Sequence, residues 1–313
     1  MNNENKTNIN WYPGHMAKTK RLINEKINQI DIVYELIDAR IPFSSKIVDI
    51  DNFIHNKPKI LIMTKYDLCD KGETKKWIKH YEDIGYKVIT MEPSTKINTI
   101  IDETNKLMED ENKKRKEKGL NKKKTRILIV GIPNVGKSTL INKLVSKKAV
   151  TVGNKPGVTK NLDWIRINDE LEMLDSPGIL WPKFENQNIA LNLASLTAIK
   201  EDILPLEHVV CYILSMLYKY YPNILKERYN LTELDEDFIN AFDTIGKKRG
   251  CLVKGGLVDY DKVCTVVMND IKNEYIKGIT FDRYDDIIWI WIMFSLVIYH
   301  HLIYMAMIEK QLV

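Results

Sequence analysis

Short hydrophobic runs, separated by polar or glycine-rich loops, mark the first part of the chain. Their β-branched and aliphatic residues predict six strands, at residues 32–37, 59–63, 86–90, 126–130, 163–167 and 171–174. Segments of helical length lie between most of these runs, such as residues 74–84 and 137–147. Strands that alternate with helices predict an α/β fold built on a doubly wound, mostly parallel sheet. Functional loops should then follow the carboxyl ends of the strands.

After about residue 189 the hydrophobic positions recur with the spacing of an α-helix. This pattern predicts helices at residues 189–203, 206–221, 234–246 and 261–275. We therefore predict three regions, which are an α/β domain at residues 1–188, an all-helical domain at 189–285 and an apolar tail at 286–313. A charged stretch at residues 109–125 forms a hinge inside the first domain.

The tail is the most apolar part of the chain. Residues 287–308 carry no formal charge and are long enough to span a bilayer, although Ser295, His300 and His301 are polar. A membrane-contacting tail, a buried or partner-bound helix and a sequence anomaly are the alternatives. The N-terminus is polar, without a signal-peptide core, and the four cysteines form no CxxC pair. These features predict a cytoplasmic protein without a zinc site or a disulfide framework.

Positive charge is concentrated in the hinge. The formal net charge is +5, and residues 113–126 alone hold nine Lys or Arg against one Glu. Such a run is either a solvated, mobile face or a contact for a polyanion such as RNA.

The strongest chemical signal follows the fourth predicted strand. Residues 131–138 read GIPNVGKS and match the GxxxxGK[ST] phosphate loop between a strand and a helix. In such a loop, backbone N–H groups wrap the phosphates, Lys137 adds charge at the β- and γ-phosphates, and Ser138 ligates Mg²⁺. We predict nucleotide contacts from Asn134, Val135, Gly136, Lys137, Ser138 and Thr139.

Two later segments fit the γ-phosphate side of the same site. Residues 175–178 read DSPG at a strand end, where Asp175 would hold Mg²⁺ through water and the Gly178 amide would sense the γ-phosphate. Residues 156–159 read PGVT, and Thr159 is the candidate switch residue that closes on Mg²⁺ and the γ-phosphate.

Two earlier segments predict the choice of base. Residues 64–67 read TKYD, in which the Asp67 carboxylate can accept from N1–H and the exocyclic amine of guanine. The Lys65 stem can cover the base, whereas Thr64 replaces the usual Asn and predicts a modestly weaker guanine affinity. The segment of Ser94, Thr95 and Lys96 would place a backbone amide at the guanine oxygen.

The order of these motifs is unusual, because the base-reading segments precede the phosphate loop. The same sheet can be cut and rejoined elsewhere, which makes the hinge at residues 109–125 the new join. Further motifs read WYPGHMAK at 11–18, DARIP at 38–42, GILWP at 178–182 and IGKKRGC at 245–251. On these motifs the chain resembles the circularly permuted GTPases, specifically the ribosome biogenesis GTPase A family (RbgA, also called YlqF), over roughly residues 11–282.

The resemblance implies a cytoplasmic factor that hydrolyses GTP late in assembly of the large ribosomal subunit and is stimulated by that particle. We expect the protein to be a monomer. The resemblance implies a catalytic role for His15, since Ile179 occupies the position of the usual water-orienting Gln; a surface or capping His is the alternative. It also implies K⁺ binding at Asn134. With Lys137 and Thr159, His15 completes the predicted catalytic set.

The helical domain offers a candidate RNA contact. Lys247, Lys248 and Arg249 fit an RNA phosphate contact, with a solvated helix end as the alternative. Two other functions remain open, which are a non-enzymatic rRNA-binding placeholder tuned by nucleotide and a GTPase tethered to a membrane by its tail.

Overall fold

The computed structural model describes residues 21–47, 50, 54, 57–120, 123–145, 164–175, 187–199 and 204–289. Within these ranges the strands form a six-stranded sheet in the order β3-β2-β1-β4-β6-β5. They are β1 (Ile32–Asp38), β2 (Lys59–Thr64), β3 (Lys87–Thr90), β4 (Thr125–Gly131), β5 (Trp164–Arg166) and β6 (Leu171–Asp175). Neighbours pair in parallel except β5, which runs antiparallel to β6. The predicted mostly parallel α/β sheet is confirmed.

The central strands are buried on both faces. Every residue of β1 is buried, and its neighbours β2 and β4 are buried over almost their whole length. Leu36 packs into the main core on one face, while the next residue, Ile37, packs against Trp77 on the other. Burial on two faces requires a continuous apolar run instead of an alternating one, which is why these strands are visible in the sequence.

The helices pack around this sheet and continue after it. Between β2 and residue 273, the α-helices of the described residues are α1 (Lys71–Asp83), α2 (Ile97–Leu107), α3 (Glu109–Glu117), α4 (Lys137–Leu144), α5 (Gln187–Ser195), α6 (Leu206–Tyr220), α7 (Pro222–Tyr229), α8 (Ile239–Arg249) and α9 (Tyr260–Lys272). The helices predicted at 206–221 and 261–275 correspond to α6 and α9. The boundary predicted between residues 188 and 189 lies close to the start of α5 and stays a prediction.

Two helix predictions have wrong limits, and the backbone shows why. The helix predicted at 189–203 ends at Ser195, and Thr197 has a left-handed φ of 57°. The helix predicted at 234–246 begins only at Ile239, because Phe238 has a φ of 60°. A left-handed residue cannot continue an α-helix, so apolar periodicity alone extended both elements too far.

Part of the charged hinge is helical. Helix α3 buries none of its residues, yet its first turn is acidic and its last turn is basic, as the helix dipole favours. An ion pair of 3.1 Å between Lys113 Nζ and Glu109 Oε1 joins successive turns. Local charge pairing therefore supports this helix without a packed face.

The segment after α9 returns to the loops at the carboxyl edge of the sheet. The amide of Gly278 donates to the Leu68 carbonyl over 2.8 Å, and the amide of Phe281 donates to the Arg40 carbonyl over 2.8 Å. The buried Asp282 carboxylate accepts from the Ser44 amide at 2.7 Å and from Asn192 Nδ2 at 2.8 Å. The helical region is thus hydrogen-bonded to the loops that follow β1 and β2.

Asp282 should make the stability of this contact depend on pH. Burial raises its pKa to about 6, even though hydrogen bonds from Ser44 and Asn192 favour the charged form. The folded state therefore holds this proton more tightly than the unfolded state. We expect stability to fall by roughly 3 kcal/mol as pH rises from about 4 to about 6, and to change little from this group above that window.

Urea unfolding of the wild type and of Asp282→Asn across this range measures the effect. The variant cannot titrate at this position, so the wild type should lose stability relative to it as pH rises. The variant should also lose a pH-independent amount of stability, because its amide nitrogen faces groups that are themselves hydrogen-bond donors. A difference between the two proteins that stays constant from pH 4 to 7 would contradict the assignment.

Candidate functional site

The phosphate loop, residues 131–138, joins β4 to α4 with the geometry its glycines require. A Cβ at Gly131 would lie 2.8 Å from the Leu36 carbonyl oxygen, and Gly136 has a left-handed φ of 104°. Lys137 is buried, with Nζ at 3.0 Å from the Gly131 carbonyl and 2.8 Å from the Ile132 carbonyl. The ammonium group therefore lies inside the curve of the loop, where it can meet a phosphate.

The base-reading loop, residues 64–68, lies against the phosphate loop. The Thr64 hydroxyl oxygen is 2.6 Å from the Val135 carbonyl and 3.0 Å from the Ile37 carbonyl. A Cβ at Gly136 would meet the Thr64 methyl group at 3.7 Å. Thr64 thus bridges two segments 71 residues apart, which brings the predicted base-reading segment against the predicted phosphate loop. A weaker guanine affinity caused by Thr64 stays a prediction.

Lys65 and Asp67 occupy the turn after Thr64. Lys65 has a left-handed φ of 55°, and its carbonyl accepts from the Leu68 amide over 3.0 Å. Its ammonium group lies 2.9 Å from Asp38 Oδ2, at the end of β1. Asp67 is exposed to solvent, so its carboxylate is accessible to an incoming base.

The third base segment follows β3 and is tied to α4. Lys143 Nζ donates to the carbonyls of Pro93 at 2.7 Å, Glu92 at 3.2 Å and Thr95 at 3.4 Å. Within this loop, the Thr95 hydroxyl accepts from the Glu92 amide. Ser94 and Lys96 flank Thr95, so the whole predicted segment lies beside the helix that follows the phosphate loop. The sequence does not predict this contact of Lys143, because its hydrogen-bond partners lie far away along the chain.

The described residues include only part of the predicted γ-phosphate side of the site. His15, Thr159 and Gly178 lie outside the described residues, as does the side chain of Asp175. The backbone of Asp175 ends β6 and pairs with Ile129 of β4, the strand that leads into the phosphate loop. Ser138 lies in the first turn of α4. The Ser138 hydroxyl and the Asp175 position therefore belong to two elements that both adjoin β4. Oxygen ligands of this kind suit Mg²⁺.

Asn134 connects the phosphate loop with the helical region. It has a left-handed φ of 58°, and its Nδ2 donates to the Thr197 carbonyl over 2.8 Å. The amide oxygen is the atom of Asn134 that would ligate K⁺, and such binding stays a prediction. Nothing in the sequence predicts this contact, because Thr197 lies in the turn where the predicted helix at 189–203 ends early.

The candidate RNA residues form the last turn of α8. Lys247 and Lys248 are exposed, with side-chain contacts of 3.5 Å to Asp243 and to the Glu227 carbonyl. Arg249 is 3.5 Å from the buried Asp270 carboxylate, which Arg228 already pairs with at 2.5 Å. Arg249 therefore has a structural partner, and the RNA contact of all three residues stays a prediction.

In the described ranges, no helix has both the length and the apolar character needed to cross a bilayer. Residues 290–313, which hold most of the apolar tail, lie outside those ranges. The membrane-contacting tail therefore stays a prediction.

Two family models match the chain. The model described as a 50S ribosome-binding GTPase matches residues 126–253, which include the phosphate loop and extend into the helical region. The model described as RsgA GTPase matches residues 21–185, which include both base-reading segments and the phosphate loop.

Relatives are similar over most of the chain. It is 46% identical over 277 residues to the ribosome biogenesis GTPase A of Priestia megaterium, covering 88% of this chain and 96% of that protein. It is 30% identical over 280 residues to the protein of that name from Thermotoga maritima, covering 89% and 96%. The crystal structure of GNP-bound YlqF from T. maritima superposes with a TM-score of 0.59 at 24% identity, covering 85% and 98%, which shows a shared fold.

Proposed function

The chain belongs to the ribosome biogenesis GTPase A family, and from this premise we propose that it hydrolyses GTP during late maturation of the large ribosomal subunit, under stimulation by the maturing particle. Hydrolysis of GTP follows from the family, whereas the late step and the stimulation are our proposal. The observation that supports the nucleotide part of this proposal is the 2.6 Å contact between Thr64 and Val135, because it brings the proposed base-reading loop against the proposed phosphate loop.

The chain's own groups account for binding and charge neutralisation. The phosphate loop offers backbone N–H groups and the start of α4, and Lys137 places a cation inside the loop. We propose Ser138, Thr159 and Asp175 as the residues that hold Mg²⁺, and Asn134 as a K⁺ ligand. Bound Mg²⁺ supplies neutralisation of charge on the phosphate oxygens. Gly178 would report the γ-phosphate to the helical region.

His15 is the proposed catalytic group. Replacement by alanine should leave GTP affinity unchanged and lower particle-stimulated turnover on the order of a hundredfold, because a positioned proton-transfer group contributes at least that much. Phosphate release with and without large-subunit precursors measures the effect. The exposed His208 on α6 gives a control, and His208→Ala should retain full turnover.

The same assay tests one of the two alternative functions. Equal, background turnover of the wild type with and without particles would favour the nucleotide-tuned, non-enzymatic rRNA placeholder. Stimulated turnover that survives His15→Ala would retain the assembly GTPase and reject His15 as its catalytic group.

The proposed partners are GTP, GDP and the large-subunit precursor with its rRNA. The exposed side chains of Lys247 and Lys248 support an RNA contact at the end of α8. A monomer in the cytoplasm agrees with this role.

A further inference from the structure

The motif at residues 38–42 forms a buried ionic cluster that the proposed chemistry leaves unused. Asp38 is the last residue of β1, which lies between the strands that lead into the base-reading and phosphate loops. Its carboxylate accepts from Arg40 Nε at 3.0 Å, from Arg40 Nη2 at 2.8 Å and from Lys65 Nζ at 2.9 Å. The exposed side-chain fractions are 3% for Asp38, 6% for Arg40 and 27% for Lys65.

The cluster is charged and geometrically fixed. Burial opposes ionisation of Asp38, but the cations of Arg40 and Lys65 outweigh it and hold the pKa of Asp38 well below its usual range. The Arg40 guanidinium and its own backbone amide both bond to Asp38 Oδ1, which fixes the carboxylate plane. Oδ2 accepts from Arg40 Nη2 at 2.8 Å and from Lys65 Nζ at 2.9 Å, so the oxygen that receives the flexible lysine is itself held in place by the guanidinium.

This arrangement restricts the conformation of the Lys65 side chain. Its four-carbon stem is flexible in water, and a stem that must cover a base has to lose that freedom on binding. The backbone already fixes where the stem begins, through a φ of 55° and the preceding Thr64 contact with Val135. Asp38 fixes where the stem ends.

We propose that Asp38 and Arg40 are positioning residues for guanine recognition, in which Arg40 orients the Asp38 carboxylate and Asp38 holds the Lys65 stem in the conformation that covers the base. This inference rests on the proposed nucleotide site and adds to it. The helical region supports the cluster as well, because the Phe281 amide donates to the Arg40 carbonyl and the Gly278 amide donates to the Leu68 carbonyl.

A double-mutant cycle on the full chain tests the proposal. Asp38→Asn keeps the shape but removes the charge, and it should weaken binding of fluorescently labelled GDP about tenfold. In a Lys65→Met background, which keeps a flexible apolar side chain, the same substitution should cost less than about twofold, because the group it positions is absent. Equal losses in both backgrounds would overturn the proposal.

A second variant guards against misfolding. Arg40→Lys keeps the charge but removes the planar fork, so it should give a smaller loss of GDP affinity that also disappears with Lys65→Met. The matched control is Glu35→Gln, which alters another ion pair of β1, in which the buried Glu35 carboxylate lies 3.3 Å from the partly exposed Lys46. The control should lower the melting temperature and leave GDP affinity unchanged.

The design separates failure of this proposal from failure of the nucleotide site. Wild-type protein that binds neither GDP nor GTP would reject the proposed function itself. Wild-type protein that binds GDP tightly while Asp38→Asn and Arg40→Lys bind it equally well would reject only the positioning role.

Discussion

Replacement of Lys137 by alanine is expected to abolish measurable binding of GTP and GDP, with a loss of affinity on the order of a hundredfold or more. The ammonium group lies within 3.0 Å of the Gly131 and Ile132 carbonyls, inside the curve of the phosphate loop. Its removal would leave bound phosphates without the cation that lies inside the loop. Titration of labelled GDP measures the affinity, and release from large-subunit particles should fail together with it.

The control for this variant is the replacement of another lysine that lies outside the site. Lys106 on α2 is exposed and pairs with Glu103 at 2.8 Å, so Lys106→Ala should bind nucleotide normally. A normal GTP affinity in Lys137→Ala would show that residues 131–138 are not the phosphate loop.

The Asp67→Asn variant should exchange guanine for xanthine. The carboxylate can accept from two guanine donors, and each hydrogen bond to a charged acceptor is worth about 1.5–3 kcal/mol, so GDP affinity should fall on the order of a hundredfold or more. Xanthine carries an oxygen where guanine carries the exocyclic amine, and the Asn amide can donate to that oxygen. Binding of xanthosine diphosphate should therefore rise in the same variant.

Competition of GDP, xanthosine diphosphate and ADP for the site gives the measurement. Asp83, an exposed residue at the end of α1 that pairs with Lys79, provides the matched Asp→Asn control. Unchanged preference for GDP in Asp67→Asn would show that another group reads the base, even though Thr64 contacts the phosphate loop.

These two variants test two parts of the site that lie in separate segments of the chain. The phosphate loop is a run of consecutive residues, so its glycines and Lys137 could be recognised from spacing alone. The guanine motif was recognised in the same way, but its relation to the phosphate loop depended on the contact between Thr64 and Val135. Neither residue indicates the other in the sequence.

The sequence by itself determined the strands, the α/β class and the motif order, and its further motifs carried the resemblance to the family. Each of these follows from neighbours along the chain, because a strand buried on two faces needs a continuous apolar run and a phosphate loop needs closely spaced glycines. The helix limits near Thr197 and Phe238 did not follow from the apolar pattern of the sequence. Their left-handed backbones end or delay helices that the apolar periodicity continues.

Only the tertiary structure decided which loops meet. The sheet order puts β1 between β2 and β4, which brings Asp38 to Lys65 and Thr64 to Val135. Asn134 meets Thr197 for the same reason, since the helical region folds back onto the loop edge of the sheet. Such contacts join residues far apart in the chain, and their geometry exists only after the strands have paired and the helices have packed.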